Sequence, residues 1–185
     1  MSLSALQDAV VALVDERFPK LRTCRSHPGR FTREEIREIS LAAPGVLVAL
    51  PTVRGVEAAG GNLVRVEAKT VAVIVCKDAM VDGVRVERAD AALGIAGELV
   101  RILPDATLGE GVEECRAIQA DNLYGTADSK QGLALWAVHW TNTVTLRPAE
   151  VELGEALDVR GSLTPRTGLE HIDDYKSLPA EDLIS

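Results

Sequence analysis

Two long stretches of the chain place apolar residues at helical spacing. Residues 3–17 form one amphipathic pattern, and residues 84–104 form the other. A short helix is predicted over residues 33–39, because Thr32 and Glu35 match the capping box, in which hydroxyl and carboxylate satisfy free backbone amides. The pattern thus predicts two main helices and one minor helix.

Other stretches alternate with the period of two that is typical of strands. In residues 63–78 the even positions are almost all apolar. At about 3.3 Å per residue this strand would span roughly 50 Å, which exceeds the width of a small domain. Part of it is therefore expected to project as one arm of a hairpin, with its partner strand before Gly60–Gly61. The apolar, β-branched run at residues 46–53 is a further predicted strand.

The stretch from residue 132 to 148 holds both tryptophans of a chain that is only 3% aromatic. On a strand, Trp136 and Trp140 share one face, and we expect them in the core beneath a helix. A shorter strand is predicted at residues 114–125. These elements predict an α/β fold of the α+β type, with a mixed or antiparallel four-stranded sheet, long hairpin strands and helices on one face.

Small residues dominate the expected packing. Gly94 and Gly97 lie inside the second predicted helix, where each costs about 1 kcal/mol relative to alanine, so we expect that helix to pack closely on the sheet there. Aromatic residues are rare, and the core is expected to consist of small aliphatic side chains.

The net charge of −8 is unevenly distributed along the chain. Residues 149–185 hold nine acids and three bases, which leaves −2 for residues 1–148. This break predicts a domain over residues 1–148 followed by an extended acidic C-terminal tail over 149–185. An acidic tail disfavours binding to nucleic acid phosphates. Residues 17–33, in contrast to the acidic tail, form a predicted basic loop that contains no acidic residue.

Residues with catalytic or metal-binding chemistry do not form a recognised constellation. Cys24 and His27 have a C-x-x-H spacing, but no second close pair completes a zinc site. The paired acids Glu113–Glu114 and Asp173–Asp174 lie on polar segments rather than in a shaped pocket. Phosphate-binding glycine motifs and nucleophile signatures are lacking. The sequence therefore predicts neither an enzyme nor a cofactor or metal site.

The N-terminal pattern also predicts a soluble protein made in the cytosol. Residues 1–20 lack the uninterrupted apolar centre of a signal peptide. No window approaches the roughly 18 apolar residues of a membrane span. We therefore expect no membrane partner.

Several strings resemble the Mu-like prophage neck proteins that are regarded as phage tail terminators. They are "FPKLR", "GRFTREEIREISLAAPGVLVAL" and "NLYGTADSKQGLALWAVHWTNTVTL", which together with the helix at 84–104 cover most of residues 3–147. The resemblance implies a homohexameric ring that caps the tail tube, stops its growth and joins the head-tail connector. The implied partners include the tube protein, neck proteins and, in a contractile tail, the sheath. The implied location is the virion, after assembly in the bacterial cytoplasm.

Contact residues are the sites expected for such a protein. Arg22, Arg25 and Arg30 are candidates for pairing between subunits with Asp173 and Asp174. The candidates for contact with the tube or connector lie at a hairpin tip, residues 54–62, and in a loop, residues 124–131: Arg54, Glu57, Asn62, Tyr124, Asp128 and Lys130.

Two alternatives remain open from the sequence. A head-completion or neck adaptor would dock on the portal ring, and would be expected to use a terminal segment for it. A small-molecule-binding protein or enzyme would instead carry a deep pocket with convergent polar groups.

Overall fold

The computed structural model describes residues 1–29, 38, 42–81, 83–123, 132–148, 160–161 and 176–177. The chain divides into two units, Met1–Pro148 and Ala149–Ser185. The elements of the first unit are, in chain order, α1 (Leu3–Arg17), β1 (Thr23–Ser26), β2 (Gly45–Gly60), β3 (Leu63–Cys76), β4 (Ala79–Val81), β5 (Val84–Val86), α2 (Arg88–Ile102), a 3₁₀ turn (Leu103–Asp105), β6 (Arg116–Asn122) and β7 (Ala134–Leu146).

The first unit is built on one mixed sheet with the strand order β1-β2-β3-β7-β6. β1 runs parallel to β2, and the other neighbouring pairs are antiparallel. The predicted α+β class is therefore confirmed, with long strands at the centre of the sheet. The described sheet has five strands rather than the four predicted.

The additional strand is β1, which lies inside the predicted basic loop. Its residues pair in parallel with the start of β2, from Thr23 opposite Gly45 to Ser26 opposite Val48. The Gln7 side chain on α1 connects the helix to this edge of the sheet, since its Nε2 donates to the carbonyls of His27 at 3.1 Å and Val48 at 2.8 Å. Four residues are too few to display a period, so this strand is defined by tertiary pairing alone.

The predicted hairpin is present between β2 and β3. Its two-residue turn is Gly61–Asn62, with φ values of 59° and 62°. Two successive positive φ angles are typical of the type I′ turn, whose twist matches that of the flanking strands. β2 continues to Gly60, well beyond the predicted end at residue 53, because its outer half is the partner strand that the length of β3 requires.

Both helices described in full pack on the face formed by the even-numbered residues of β2, β3 and β7, with α1 over β1 and β2 and α2 over β3 and β7. Trp140 is fully buried there and Trp136 is partly buried against the same cluster, which confirms that the indoles share one face beneath helical residues. The residues that the helices bury in this core are Leu6, Val10 and Val14 of α1 and Ala92, Ala96 and Leu99 of α2. Apart from the tryptophans the core is aliphatic and small, as expected.

The odd-numbered face of the sheet changes character along its length. Near the β3 C-terminus it carries a second buried apolar cluster, consisting of Leu47, Val73, Val75, Leu133 and Leu135. Toward the hairpin turn the same face is polar and exposed, as at Arg65, Glu67 and Lys69. β7 shows the same change, from buried on both faces at its start to half-exposed on one face.

Two expectations for the second long helix are wrong. α2 starts at Arg88 rather than residue 84, because Val84–Val86 pairs with Ala79–Val81 as a small hairpin and the Asp78 carboxylate accepts the Arg88 backbone N–H at 2.9 Å. Gly94 and Gly97 do not pack on the sheet. Both are exposed, and a Cβ added at either position meets no atom within 4 Å.

In the second unit the described residues form two short antiparallel strands, β8 (Arg160–Gly161) and β9 (Lys176–Ser177). The capping box and the short helix predicted over residues 33–39 lie outside the described residues, apart from Glu38.

Candidate contact surfaces

The outer half of β2, residues 51–60, is exposed along its whole length. We call this segment the β2 arm. β1 covers the edge of β2 only as far as Val48, and no described strand pairs with the outer edge beyond it. Val53 and Val56 are 37% and 70% exposed on the arm. The arm is therefore an edge strand with accessible backbone groups and apolar side chains.

Three predicted contact residues lie on the arm or at its tip. Arg54 is exposed and donates from Nε to Glu67 Oε2 on β3 at 2.9 Å. Glu57 is exposed opposite Arg65, and Asn62 occupies the turn. The structure thus brings these residues onto one hairpin, which does not project from the sheet as predicted, because β7 pairs with β3 as far as Val64. Three register shifts along β2 and Pro51 limit continuous pairing of its outer edge by another strand.

The segment before β6 closes the opposite edge of the sheet through a buried polar group. Asn142 on β7 accepts from the Trp140 indole N–H at 2.9 Å, and its own amide donates to the Glu113 carbonyl at 2.9 Å and Cys115 Sγ at 3.3 Å. Asn142 is fully buried. Backbone bonds reinforce the contact, with Glu113 N–H donating to the Thr143 carbonyl at 2.9 Å.

Nearly all arginines whose side chains the structure describes form ion pairs within the domain. The paired arginines are Arg17, Arg54, Arg65, Arg85, Arg88, Arg101, Arg116 and Arg147. Within the described residues, Arg22 and Arg25 are exposed and form no ion pair. Among the arginines whose side chains are described, the predicted interface residues Arg22 and Arg25 are thus the ones with charge available for another molecule.

An apolar groove adjoins the chain just before Arg22, whose backbone N–H is bonded to the Pro44 carbonyl of the groove wall. Phe18, Leu21, Pro44 and Ile95 line a cavity of about 310 Å³ between the C-terminal end of α1 and the middle of α2. The exposed Lys20 stands on its rim. Sequence reasoning missed this groove, because its residues come from three separate segments and no local pattern joins them.

One carboxylate fixes the two helices relative to each other next to the groove. Glu98 on α2 lies 2.5 Å from the Arg17 guanidinium of α1 and 2.6 Å from that of Arg101. Hydrogen bonds from Arg101 and then Arg17 lower the pKa of Glu98 from 4.5 to about 2. Arg17 is therefore neutralised within the domain and adds little free charge to the basic rim.

A polar cleft of about 460 Å³ lies at the opposite end of α2. Asp78 pairs there with Arg88 at 3.3 Å and Arg85 at 3.5 Å, and the Arg88 backbone N–H, then both guanidinium groups, lower the pKa of Asp78. Glu87, Ala89, Asn122, Ala134 and Trp136 complete the lining. The Asp78 carboxylate is thus held by two arginines in this cleft.

The candidate zinc residues have ordinary structural roles. Cys24 Sγ contacts the Val11 carbonyl at 3.5 Å, and His27 is buried with its Nδ1 accepting from the Gly29 N–H at 3.1 Å. Burial, with the nearby Asp15 charge as a smaller cause, raises the pKa of Cys24 to about 11. Among the described residues, no three potential ligands cluster as a metal site.

The remaining predicted contact residues lie outside the described part of the chain. They are Tyr124, Asp128 and Lys130 of the loop, Arg30 of the basic segment, and Asp173 and Asp174 of the C-terminal unit. No helix in the described residues is long and apolar enough to cross a membrane.

The fold and its surfaces define an α+β protein with an exposed β2 arm and a basic corner, by which we mean the exposed Lys20, Arg22 and Arg25. The family model described as "Bacteriophage Mu, Gp37" matches residues 2–145. The chain therefore belongs to the bacteriophage Mu Gp37 family, and it is a virion-associated structural protein of a Mu-like phage. No curated protein matches the chain.

Proposed function

We propose that the chain is a tail terminator, a structural protein rather than an enzyme, which assembles as a hexameric ring on the finished tail tube. The ring would stop the addition of further tube subunits and join the tail to the head connector. Membership of the Gp37 family supports a role in a phage particle. The observation that carries the finer proposal is the exposed β2 arm, whose outer edge no described strand covers.

The arm is proposed to meet the tube or connector. Its backbone edge and its exposed Val53 and Val56 can add to strands or apolar surface of another protein. Arg54, Glu57 and Asn62 would orient this contact, together with the loop that contains Tyr124, Asp128 and Lys130. Arg22, Arg25 and Arg30 would pair with Asp173 and Asp174 of a neighbouring copy.

The experiment is a capping assay with purified tube protein. Tubes polymerised with the chain should be shorter than tubes grown alone, and labelled chain should sit at one end in negative-stain electron micrographs. The variant Val53→Ser/Val56→Ser should leave circular dichroism unchanged and lose capping, because both side chains are exposed. The matched control Met80→Ser/Val84→Ser changes two exposed apolar residues elsewhere and should cap normally.

Tube lengths unaffected by the wild-type chain would refute the proposal. Binding to the portal protein, with none to tubes, would identify the chain as the head-completion adaptor instead. Native mass spectrometry of the tube-bound fraction then measures the ring number.

A further inference from the structure

The groove beside the basic corner has the chemistry of a docking site for an acidic chain with apolar anchors. Its walls are the side chains of Phe18, Leu21 and Ile95 together with Pro44, and its volume of about 310 Å³ has room for an aliphatic side chain. Pro44 is fixed to the basic segment, since the Arg22 backbone N–H donates to the Pro44 carbonyl at 2.9 Å. This hydrogen bond keeps Arg22 next to the apolar wall of the groove.

The groove has unpaired positive charge next to it. Lys20 lines the groove, and the Arg22 backbone is bonded to Pro44 of the lining. Both side chains, and that of Arg25 three residues further along, are exposed and form no ion pair within the described residues. Arg17 also lines the groove, but Glu98 pairs with its charge. This positive charge lies on a chain whose net charge is −8.

The chain itself contains a segment with complementary chemistry. Residues 149–185 carry nine acids and three bases. Within them the run "LEHIDD" at residues 169–174 places Leu169 and Ile172 next to Glu170, Asp173 and Asp174. An isoleucine followed at once by two carboxylates matches an apolar groove bordered by cations, because apolar burial and charge pairing can then be satisfied together.

We infer that the groove of each copy receives residues 169–174 of a second copy. Ile172 enters the cavity between Phe18 and Ile95, while Asp173 and Asp174 lie against Lys20 and Arg22. The inference deepens the proposed ring and depends on it, because the ring places another copy beside each groove. Such a contact joins two different surfaces, and repetition of that contact around an axis closes a ring.

The test is the association of full-length protein, alone and on tubes, measured by analytical ultracentrifugation and by the amount of chain retained on pelleted tubes. Reversing charge with Arg22→Glu/Arg25→Glu should weaken association between copies about tenfold or more at low salt. Asp173→Lys/Asp174→Lys should weaken it equally. Combining the four substitutions in one chain should restore association, since the charges again match.

Matched controls separate docking from general effects of charge and of the tail. Arg116→Glu/Arg147→Glu makes the same change in net charge at exposed side chains elsewhere and should leave association intact. Ile172→Ser should weaken association, while Leu183→Ser, a similar truncation in the same tail, should not. Circular dichroism of each variant confirms that the domain remains folded.

The outcomes distinguish this inference from the proposed function. If the chain forms rings and caps tubes while the Arg22, Arg25 and Ile172 variants behave as wild type, the docking inference is overturned and the terminator proposal stands. A failure of the four-residue charge swap to restore association would also overturn it. If wild-type protein neither associates nor caps, both proposals fall.

Discussion

Replacing Asn142 with leucine should strongly destabilise the domain, because this side chain joins three parts of the buried structure. Its oxygen accepts from the Trp140 indole at 2.9 Å, and its amide donates to the Glu113 carbonyl at 2.9 Å and to Cys115 Sγ at 3.3 Å. Leucine has a similar size but offers neither an acceptor nor a donor.

The magnitude follows from the groups left without partners. The Trp140 N–H and the Glu113 carbonyl would each lose a hydrogen bond in a buried setting, at about 1–3 kcal/mol per group. Additional apolar burial by leucine offsets about 1 kcal/mol of this cost. We therefore expect a loss of about 1–5 kcal/mol in the free energy of unfolding, which lowers Tm by roughly 2–20 °C for a domain of this size.

Urea unfolding followed by far-ultraviolet circular dichroism measures this loss. A double-mutant cycle with Trp140→Phe isolates the shared hydrogen bond, and a coupling of about 1–2 kcal/mol is expected. The argument for the buried network would be wrong if Asn142→Leu cost less than about 0.5 kcal/mol, or if the two substitutions were additive.

Three further variants test other features of the domain. Thr70 is fully buried and its hydroxyl has no hydrogen-bond partner among the described residues, so Thr70→Val should raise the free energy of unfolding by about 1 kcal/mol; a lower stability in urea melts would contradict this. Gly94→Ala and Gly97→Ala should each stabilise α2 by about 0.5–1 kcal/mol, measured as a higher Tm, because a Cβ meets nothing at either position. The pKa of Glu98 is lowered in the folded state, so the contribution of Glu98 to the free energy of unfolding is present above pH 4.5 and is lost as the pH falls through about 2. Glu98→Gln should remove this part of the pH dependence of unfolding. An unchanged dependence in acid would contradict the prediction.

The sequence predicted the parts of the fold that repeat over many residues. Alternation across residues 63–78 and 132–148 is long enough to identify β3 and β7, whose even positions form the face of the main core. The length of β3 indicated a hairpin partner, which is β2, but not that β7 also pairs along β3 as far as Val64. These signals are local and periodic, so they need no knowledge of tertiary contacts.

The parts that were missed depend on contacts between distant segments. β1 is defined by its pairing with β2, and the start of α2 by Asp78 and the preceding hairpin. We expected Gly94 and Gly97 to pack on the sheet because close packing would explain a glycine that destabilises its helix. Both residues face outward instead. The apolar groove needs Phe18, Pro44 and Ile95 to meet, and no sequence period encodes that meeting.

The two indoles occupy different environments, and this gives the protein a pair of intrinsic optical reporters. Trp140 is 1% exposed and hydrogen-bonded in the core, so iodide should not quench its emission until the sheet opens. Trp136 borders the polar cleft near Arg88, so its emission should respond to iodide and to any molecule that enters there. In Trp140→Phe the remaining indole, Trp136, reports on binding in the cleft. In Trp136→Phe the remaining indole, Trp140, reports on unfolding of the core. Both events can therefore be followed separately by fluorescence without a label.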